Sequence, residues 1–187
     1  MRIIAGSLKG KKLYAAPGSN TRPTGAKLRE AVFGITAPAI PGARVLDLFA
    51  GTGAYALEAL SRGALDAVLI DADTAAMMVI KKNIRLCQAE QQTQCYRWDI
   101  ARDLNCIRGD KPGFDLVFMD PPYEHQDLIT LALKNLSDGR CLKNEAQVLV
   151  EHGAGRSDFP EGIPSSFEIA DRRKYGKSLV TFLNYMI

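Results

Sequence analysis

Asp120-Pro121-Pro122-Tyr123 follows an apolar run, Leu116-Val117-Phe118-Met119, that reads as a buried strand. A carboxylate, a rigid carbonyl-presenting turn and an aromatic ring therefore meet at the C-terminal end of a strand. In open α/β sheets that edge is where ligands bind. Each part suits methylation of a planar amine. The lone pair of an exocyclic NH2 on a base is delocalised into the ring, which makes the amine a poor nucleophile. Asp120 and the Pro121 carbonyl can accept its two hydrogens and turn the lone pair toward an electrophile. Pro121 lacks an N–H and Pro122 fixes φ, so the carbonyls point in a set direction. Tyr123 offers a face for base stacking, worth about 1–3 kcal/mol. The same four residues also describe an ordinary turn after a strand, since Asp and Pro are common turn residues.

A second constellation favours the first reading. Ala43 through Gly53 runs from a strand into a glycine loop, and a helix begins at Ala54. The glycines let the backbone approach a ligand closely, and the helix N-terminus favours negative charge. Asp47, at the strand end, can hold the ammonium of an amino acid. Asp71 ends a second strand, twenty residues after Gly51, where an acidic side chain binds ribose hydroxyls. A third strand ends at Asp99, which can accept from an adenine amine, while Ile100 can cover the ring and present its N–H. Asp47, Phe49, Gly51, Gly53, Asp71, Asp99 and Ile100 are thus the candidate cofactor contacts.

Gly51-Thr52-Gly53-Ala54-Tyr55-Ala56 also satisfies the loose GxGxxG/A pattern of nicotinamide enzymes. Three features oppose that reading. Asp47 would repel a pyrophosphate, the Asp120–Tyr123 segment supplies a base site, and no second domain remains for a dehydrogenase substrate. The ligand is read as S-adenosylmethionine, an amino acid joined to a nucleoside without phosphates. Asp47, Asp71, Asp99 and Asp120 then line one crevice.

The elements that must position these residues alternate along the chain. Residues 1–25 read as an extended arm or short β-hairpin, followed by a helix over 27–35. Strands are expected at 43–48, 67–71, 93–98, 114–119, 147–151, 166–171 and 178–185. Helices are expected at 54–62, 74–87 and 126–136, with Asp73 capping the second and a short helical piece around 100–107. Alternating βα units imply a parallel sheet covered on both faces. The last two strands are too close for a helical crossover and form an antiparallel hairpin. The architecture resembles the Rossmann-like class I methyltransferase fold of seven strands. A basic extension with its helix occupies 1–42, and the methyltransferase domain 43–187.

Composition agrees with an enzyme. The 187 residues can bury a sizeable core. Hydrophobic content of 47% and charged content of 24% are those of a globular chain, which argues against disorder. No stretch reaches membrane-spanning length and no signal-peptide core precedes the first motif. Cys87, Cys95, Cys106 and Cys141 lack metal-ligand spacing and read as free thiols of a reducing cytoplasm, so no metal is expected. His125 and His152 read as exposed loop residues. The net charge of +3 conceals an asymmetry: seven basic residues against Glu30 give residues 1–30 a charge of +6, leaving −3 elsewhere. Lys9, Lys11 and Lys12 of this arm can meet an RNA backbone, with salt-sensitive affinity. Arg172, Arg173, Lys174 and Lys177 form a second cluster, expected on a hairpin turn.

Nearly the whole chain resembles the small bacterial 16S ribosomal RNA guanine-N2 methyltransferases that act on guanine 966 in the standard rRNA numbering. The resemblance runs through Arg2–Gly6, Lys9–Leu13, Arg22-Pro23-Thr24, Arg29–Phe33, Val45–Gly53, Leu57–Ala64, Asp120–Tyr123 and Lys174-Tyr175-Gly176. It implies S-adenosylmethionine as cofactor and 16S rRNA, within an assembled or partly assembled small subunit, as substrate. It also implies substrate contacts at Arg22 and Thr24, and we expect a cytoplasmic monomer. Three departures stand out. Gly25-Ala26-Lys27 replaces a frequent Thr-Asp-Arg, Gly34 a frequent Asn, and Tyr55-Ala56 a frequent Leu-Gly, the last expected to face helix packing. Other readings stay open: an adenine-N6 methyltransferase using the same four residues, a glutamine-N5 protein methyltransferase, which typically has Asn in place of Asp120, and a non-enzymatic RNA-binding module.

Overall fold

The structure, a computed structural model, describes residues 1–15, 23–108, 113–122, 125, 127–153 and 159–187. Arg22 and Tyr123 lie outside these residues. Among the described residues seven strands form one sheet: β1 (Arg44–Leu48), β2 (Asp66–Asp71), β3 (Thr93–Arg97), β4 (Phe114–Met119), β5 (Leu142–Gly153), β6 (Phe167–Tyr175) and β7 (Ser178–Tyr185). The order is β3-β2-β1-β4-β5-β7-β6. β1 to β5 run parallel, and β7 pairs antiparallel with both β5 and β6. The strand order reverses between β1 and β4, which opens a crevice above their C-terminal ends.

Strand alternation sorts the core into two faces. Val45, Leu69, Phe118 and Leu149 pack with α1 (Pro23–Ile35), α2 (Ala54–Ser61) and α3 (Thr74–Cys87) through Val32, Phe33, Leu57 and Ile80. Leu46, Leu48, Val117 and Val148 pack on the other face with α4 (Asp127–Gly139) through Ile129, Leu133 and Leu136. A chain covered on both faces needs such near-continuous apolar strands, and every residue of β1 is buried.

Expected and observed elements differ where charge masks a strand. β5 starts five residues before the expected position because Lys143, Asn144 and Glu145 interrupt its apolar run. A register shift between Phe114 and Leu116 accommodates them, with Glu145 at φ 63°. β6 runs four residues beyond the expected end. Arg172, Arg173 and Lys174 belong to this edge strand and not to the turn, and charge on an edge discourages further pairing. α1 begins at Pro23, four residues early, because proline is tolerated in a first helical turn. Only Asn105–Ile107 of the expected 100–107 piece is helical, as a 3₁₀ turn. Asp73 caps α3 as anticipated, accepting from the Ala75 N–H at 2.8 Å.

The first fifteen residues are docked on the core. Arg2 and Lys12 form an antiparallel bridge, and Ile3 and Leu13 are buried. Glu58, fully buried on α2, accepts from the N–H groups of Ile4 (2.7 Å) and Ala5 (3.0 Å) and pairs with Arg62 at 2.7 Å. These bonds satisfy a carboxylate that would be costly to bury alone. The Arg29 guanidinium donates to the Arg2 carbonyl at 2.7 Å. A side chain at Gly6, whose φ is 79°, would overlap the Ser61 carbonyl. His152 is not an exposed loop residue: it is buried in β5, with Nε2 2.8 Å from the Thr181 hydroxyl. Among the described residues, no helix is long and apolar enough to cross a membrane.

Candidate functional site

The glycine loop leaves β1 through Phe49 at φ 63°, Gly51 at 56° and Gly53 at 75°. A positive φ at an aromatic residue costs about 1–3 kcal/mol and tends to occur where function needs the conformation. The two glycines do different work. A Cβ on Gly51 would meet nothing closer than the Phe49 carbonyl at 3.9 Å, so that side of the loop is open to a ligand. A Cβ on Gly53 would stand 2.9 Å from Leu69 Cδ2, so Gly53 serves the packing of loop on sheet.

Asp47 is 3% exposed, and one of its oxygens accepts from the Ala56 N–H at 3.1 Å. Ala56 lies in the first turn of α2, whose N-cap, Gly53, has no side chain to cap it. Asp47 supplies that cap from the strand. Burial pushes its carboxyl up to about 7; the Ala56 hydrogen bond opposes the shift and Asp71 adds to it. A buried carboxyl in this state suits a cationic ligand group. It also occupies the helix N-terminus that a pyrophosphate would need, which removes the dinucleotide reading. Asp71 accepts from Gly51 N–H at 2.7 Å and from Asp73 N–H at 2.9 Å. It therefore holds the loop and the β2–α3 turn in register, while each oxygen keeps a second lone pair for a ligand.

The third strand end is arranged differently. Asp99 is exposed and accepts from Ala101 N–H at 3.0 Å. The Ile100 side chain is 2% exposed and packs in the second core, and its carbonyl accepts from Asn135 at 3.0 Å. Trp98 packs against the same core and donates to Asp103.

Asp120 follows β4 directly and is exposed to water, with Pro121 buried behind it and Pro122 exposed. Surrounding protein, then the Glu151 and Asp47 carboxylates, raise its pKa well above the usual range, an effect that solvent contact moderates. By alternation Asp47, Asp120 and Glu151 leave the sheet on the same face, from β1, β4 and β5, which are neighbours. Tyr55 closes this side. Its ring lies 5.9 Å from Phe33 and 5.0 Å from Phe118, at interplanar angles of 26° and 30°. Its hydroxyl donates to Glu151 at 3.3 Å. The departure at Tyr55 thus reaches the crevice as well as the helix packing. Its phenol is pushed up by burial, then by Glu151 and Asp120.

Thr24 lies in the first turn of α1. Lys9 and Lys12 are exposed, whereas the Lys11 ammonium is committed to the Leu86 carbonyl at 2.9 Å, near the C-terminal end of α3. His125 is exposed. Two residues were missed from sequence. Glu151 lies in β5 beside Asp120, and an acidic residue directly after the apolar run Val148–Val150 was its available signal. Asn83 is fully buried. Its amide donates to the Tyr14 carbonyl at 3.0 Å and the Thr52 carbonyl at 2.9 Å, and its oxygen accepts from Tyr14 N–H at 2.7 Å. It ties the basic arm to the glycine loop, and nothing in its spacing announced this.

Residues 1–184 match the family described as Conserved hypothetical protein 95. The chain belongs to that family. It is 38% identical over 163 residues to the rRNA methyltransferase candidate YlbH of Bacillus subtilis, covering 87% of this chain and 88% of the relative. It is 35% identical over 178 residues to ribosomal RNA small subunit methyltransferase D of Haemophilus influenzae, covering 94% and 89%. The solved structure of the methyltransferase candidate yhhF from Escherichia coli superposes with a TM-score of 0.84 at 29% identity, covering 100% and 98%. The family fold is the class I methyltransferase fold, with its parallel sheet and terminal antiparallel hairpin in the order found here.

Proposed function

We propose that this protein transfers the methyl group of S-adenosylmethionine to the exocyclic N2 amine of a guanine in 16S rRNA, presented in an assembled or partly assembled small subunit. The carrying observation is the row of carboxylates, Asp47, Asp120 and Glu151, on one sheet face at the point where strand order reverses. The names of the relatives support the rRNA substrate. Work on small subunits belongs to the cytoplasm, and the protein acts there as a monomer.

When bound, S-adenosylmethionine supplies an electrophilic methyl group on a sulfonium. Asp47 holds its ammonium, Gly51 leaves room for it, Asp71 meets the ribose hydroxyls, and Asp99 with the Ile100 N–H receives the adenine. Asp120 and the Pro121 carbonyl accept the hydrogens of the target amine and turn its lone pair toward the crevice. Positioning of this kind lowers a barrier by removing the entropy of encounter. Asp120 also takes the proton that the amine sheds, and a carboxyl raised from its ordinary range is the better acceptor. Tyr123 stacks on the base, which offsets the few kcal/mol needed to extrude it. Lys9 and Lys12, with Arg22 and Thr24, meet the RNA, and Lys11 holds the arm in place.

The test is incubation with labelled S-adenosylmethionine and, separately, assembled small subunits, naked rRNA and DNA, followed by identification of the modified nucleoside. Label in N2-methylguanosine from the subunits is the expected result, lost in Asp120→Ala with cofactor affinity retained. Label in N6-methyladenine or in DNA overturns the reading.

A further inference from the structure

Glu151 and Asp120 stand side by side. Their positions continue the Met119–Val150 pairing of β4 with β5, and both side chains leave the face that carries Phe118 and Leu149. Neighbouring strands are about 4.8 Å apart. Two carboxylates so placed repel unless a cation or hydrogen-bond donors come between them. Tyr55 donates to Glu151 and is itself clamped between Phe33 and Phe118, so the pair is held in place. Glu151 is half-buried and Asp120 exposed, which leaves the pair open toward the crevice. The cavity beneath, lined by Val32, Tyr55 and Val180, holds only about 10 Å³, room for one water. A ligand ring therefore seats at the mouth, over the two carboxylates.

Two adjacent acceptors call for a ligand edge with adjacent donors. Guanine has one: N1–H lies next to the N2 amine on its Watson–Crick edge. Adenine has a donor amine next to N1, which carries a lone pair and no hydrogen. We propose that Glu151 selects the base, its carboxylate accepting the guanine N1–H while Asp120 and the Pro121 carbonyl hold the N2 hydrogens. This rests on the guanine-N2 reading above. An adenine placed in the same way sets the N1 lone pair against the Glu151 carboxylate, so two acceptors face each other and repel. Sites built to hydrogen-bond a donor reject analogues lacking it strongly, because buried polar groups are then left without partners.

The probe is 2,6-diaminopurine, which keeps the N2 amine of guanine but has no N1–H. Small subunits are reconstituted with guanine or 2,6-diaminopurine at the target nucleotide, and kcat/KM is measured for each. The parent enzyme should favour guanine at least tenfold. Glu151→Gln, whose amide can donate to N1, should narrow that ratio at least tenfold, chiefly through a slower guanine reaction, with cofactor affinity unchanged. Glu151→Asp keeps the carboxylate and should keep the preference at a reduced rate. A parent that methylates both bases equally overturns the proposal without any variant. So does a ratio unchanged in a Glu151→Gln enzyme that binds cofactor normally, or a preference abolished as fully in Glu151→Asp as in Glu151→Gln. If the parent forms no N2-methylguanosine on normal subunits, the failure belongs to the guanine-N2 reading, which removes the basis of this proposal as well.

Discussion

Asp47→Asn separates what the fold needs from what the cofactor needs. Burial is the main reason that the Asp47 carboxyl stands near 7 in the fold, against about 3.9 in an unfolded chain. Between those values the folded protein keeps a proton that the unfolded chain has lost. Stability therefore falls as pH rises from about 4 to 7 and levels off above that. At about 1.4 kcal/mol per pH unit, the loss between pH 5 and pH 8 is roughly 2–3 kcal/mol. Asparagine is neutral throughout and its Oδ1 can still accept from the Ala56 N–H, so the variant keeps the cap and drops the titration. Urea unfolding of cofactor-free protein, stepped from pH 5 to 8.5, measures the difference between parent and variant. The variant should gain on the parent by that amount, while calorimetry shows weaker S-adenosylmethionine binding. Saturating cofactor should shrink the gap, because an ammonium beside Asp47 stabilises its ionised form. Parallel pH profiles for parent and variant would mean that Asp47 titrates in the fold as it does in the unfolded chain, and the burial argument for its raised pKa would be wrong.

Asn83→Ala strands the Tyr14 N–H and the Tyr14 and Thr52 carbonyls; it should cost about 2–4 kcal/mol in urea unfolding and weaken cofactor binding too, and unchanged affinity would show that arm and loop are uncoupled. Neutralising Lys9 and Lys12 together should lower the log–log salt slope of RNA binding by about 0.7 to 0.9 for each phosphate that is no longer neutralised. Lys11→Ala should appear mainly as reduced stability, and filter binding over a salt series distinguishes the two. Asp71→Ala should weaken cofactor binding by about 1–3 kcal/mol, and Gly51→Val by more, since it fills the open side of the loop at a φ of 56°. Gly53→Ala should instead reduce stability through its collision with Leu69. Calorimetry with full affinity in the folded Asp71 and Gly51 variants removes both from the site.

Much of the fold was legible because its signals are local. β4 and β7 begin and end at their expected residues, and α3 spans the expected Thr74–Cys87 with Asp73 as cap. The elements misjudged in length, β5 and β6, carry lysines and arginines along part of their run. Pairing with a neighbour, which no local pattern reports, extends those strands.

The candidate site divides along the same line. Asp47, Asp71, Asp99 and Asp120 could be placed on one sheet edge from sequence, because each stands near the end of an expected strand and parallel strands in a βα chain end together. Pro121, the glycine loop and the charge of the arm were likewise written in residue type and spacing. The division of labour between Gly51 and Gly53 was not, since it depends on Leu69 standing under one and open space beside the other. Nor was the titration of Asp47, which follows from complete burial at a helix N-terminus. The roles of Glu151 and Asn83 came from tertiary contacts, 31 and 69 residues from the Asp120 and Tyr14 beside them. Residue type can show which side chains are able to do chemistry. Which of them share a desolvated space, and so shift one another's protons or read one ligand edge together, is settled by strand register and packing between segments far apart in the chain.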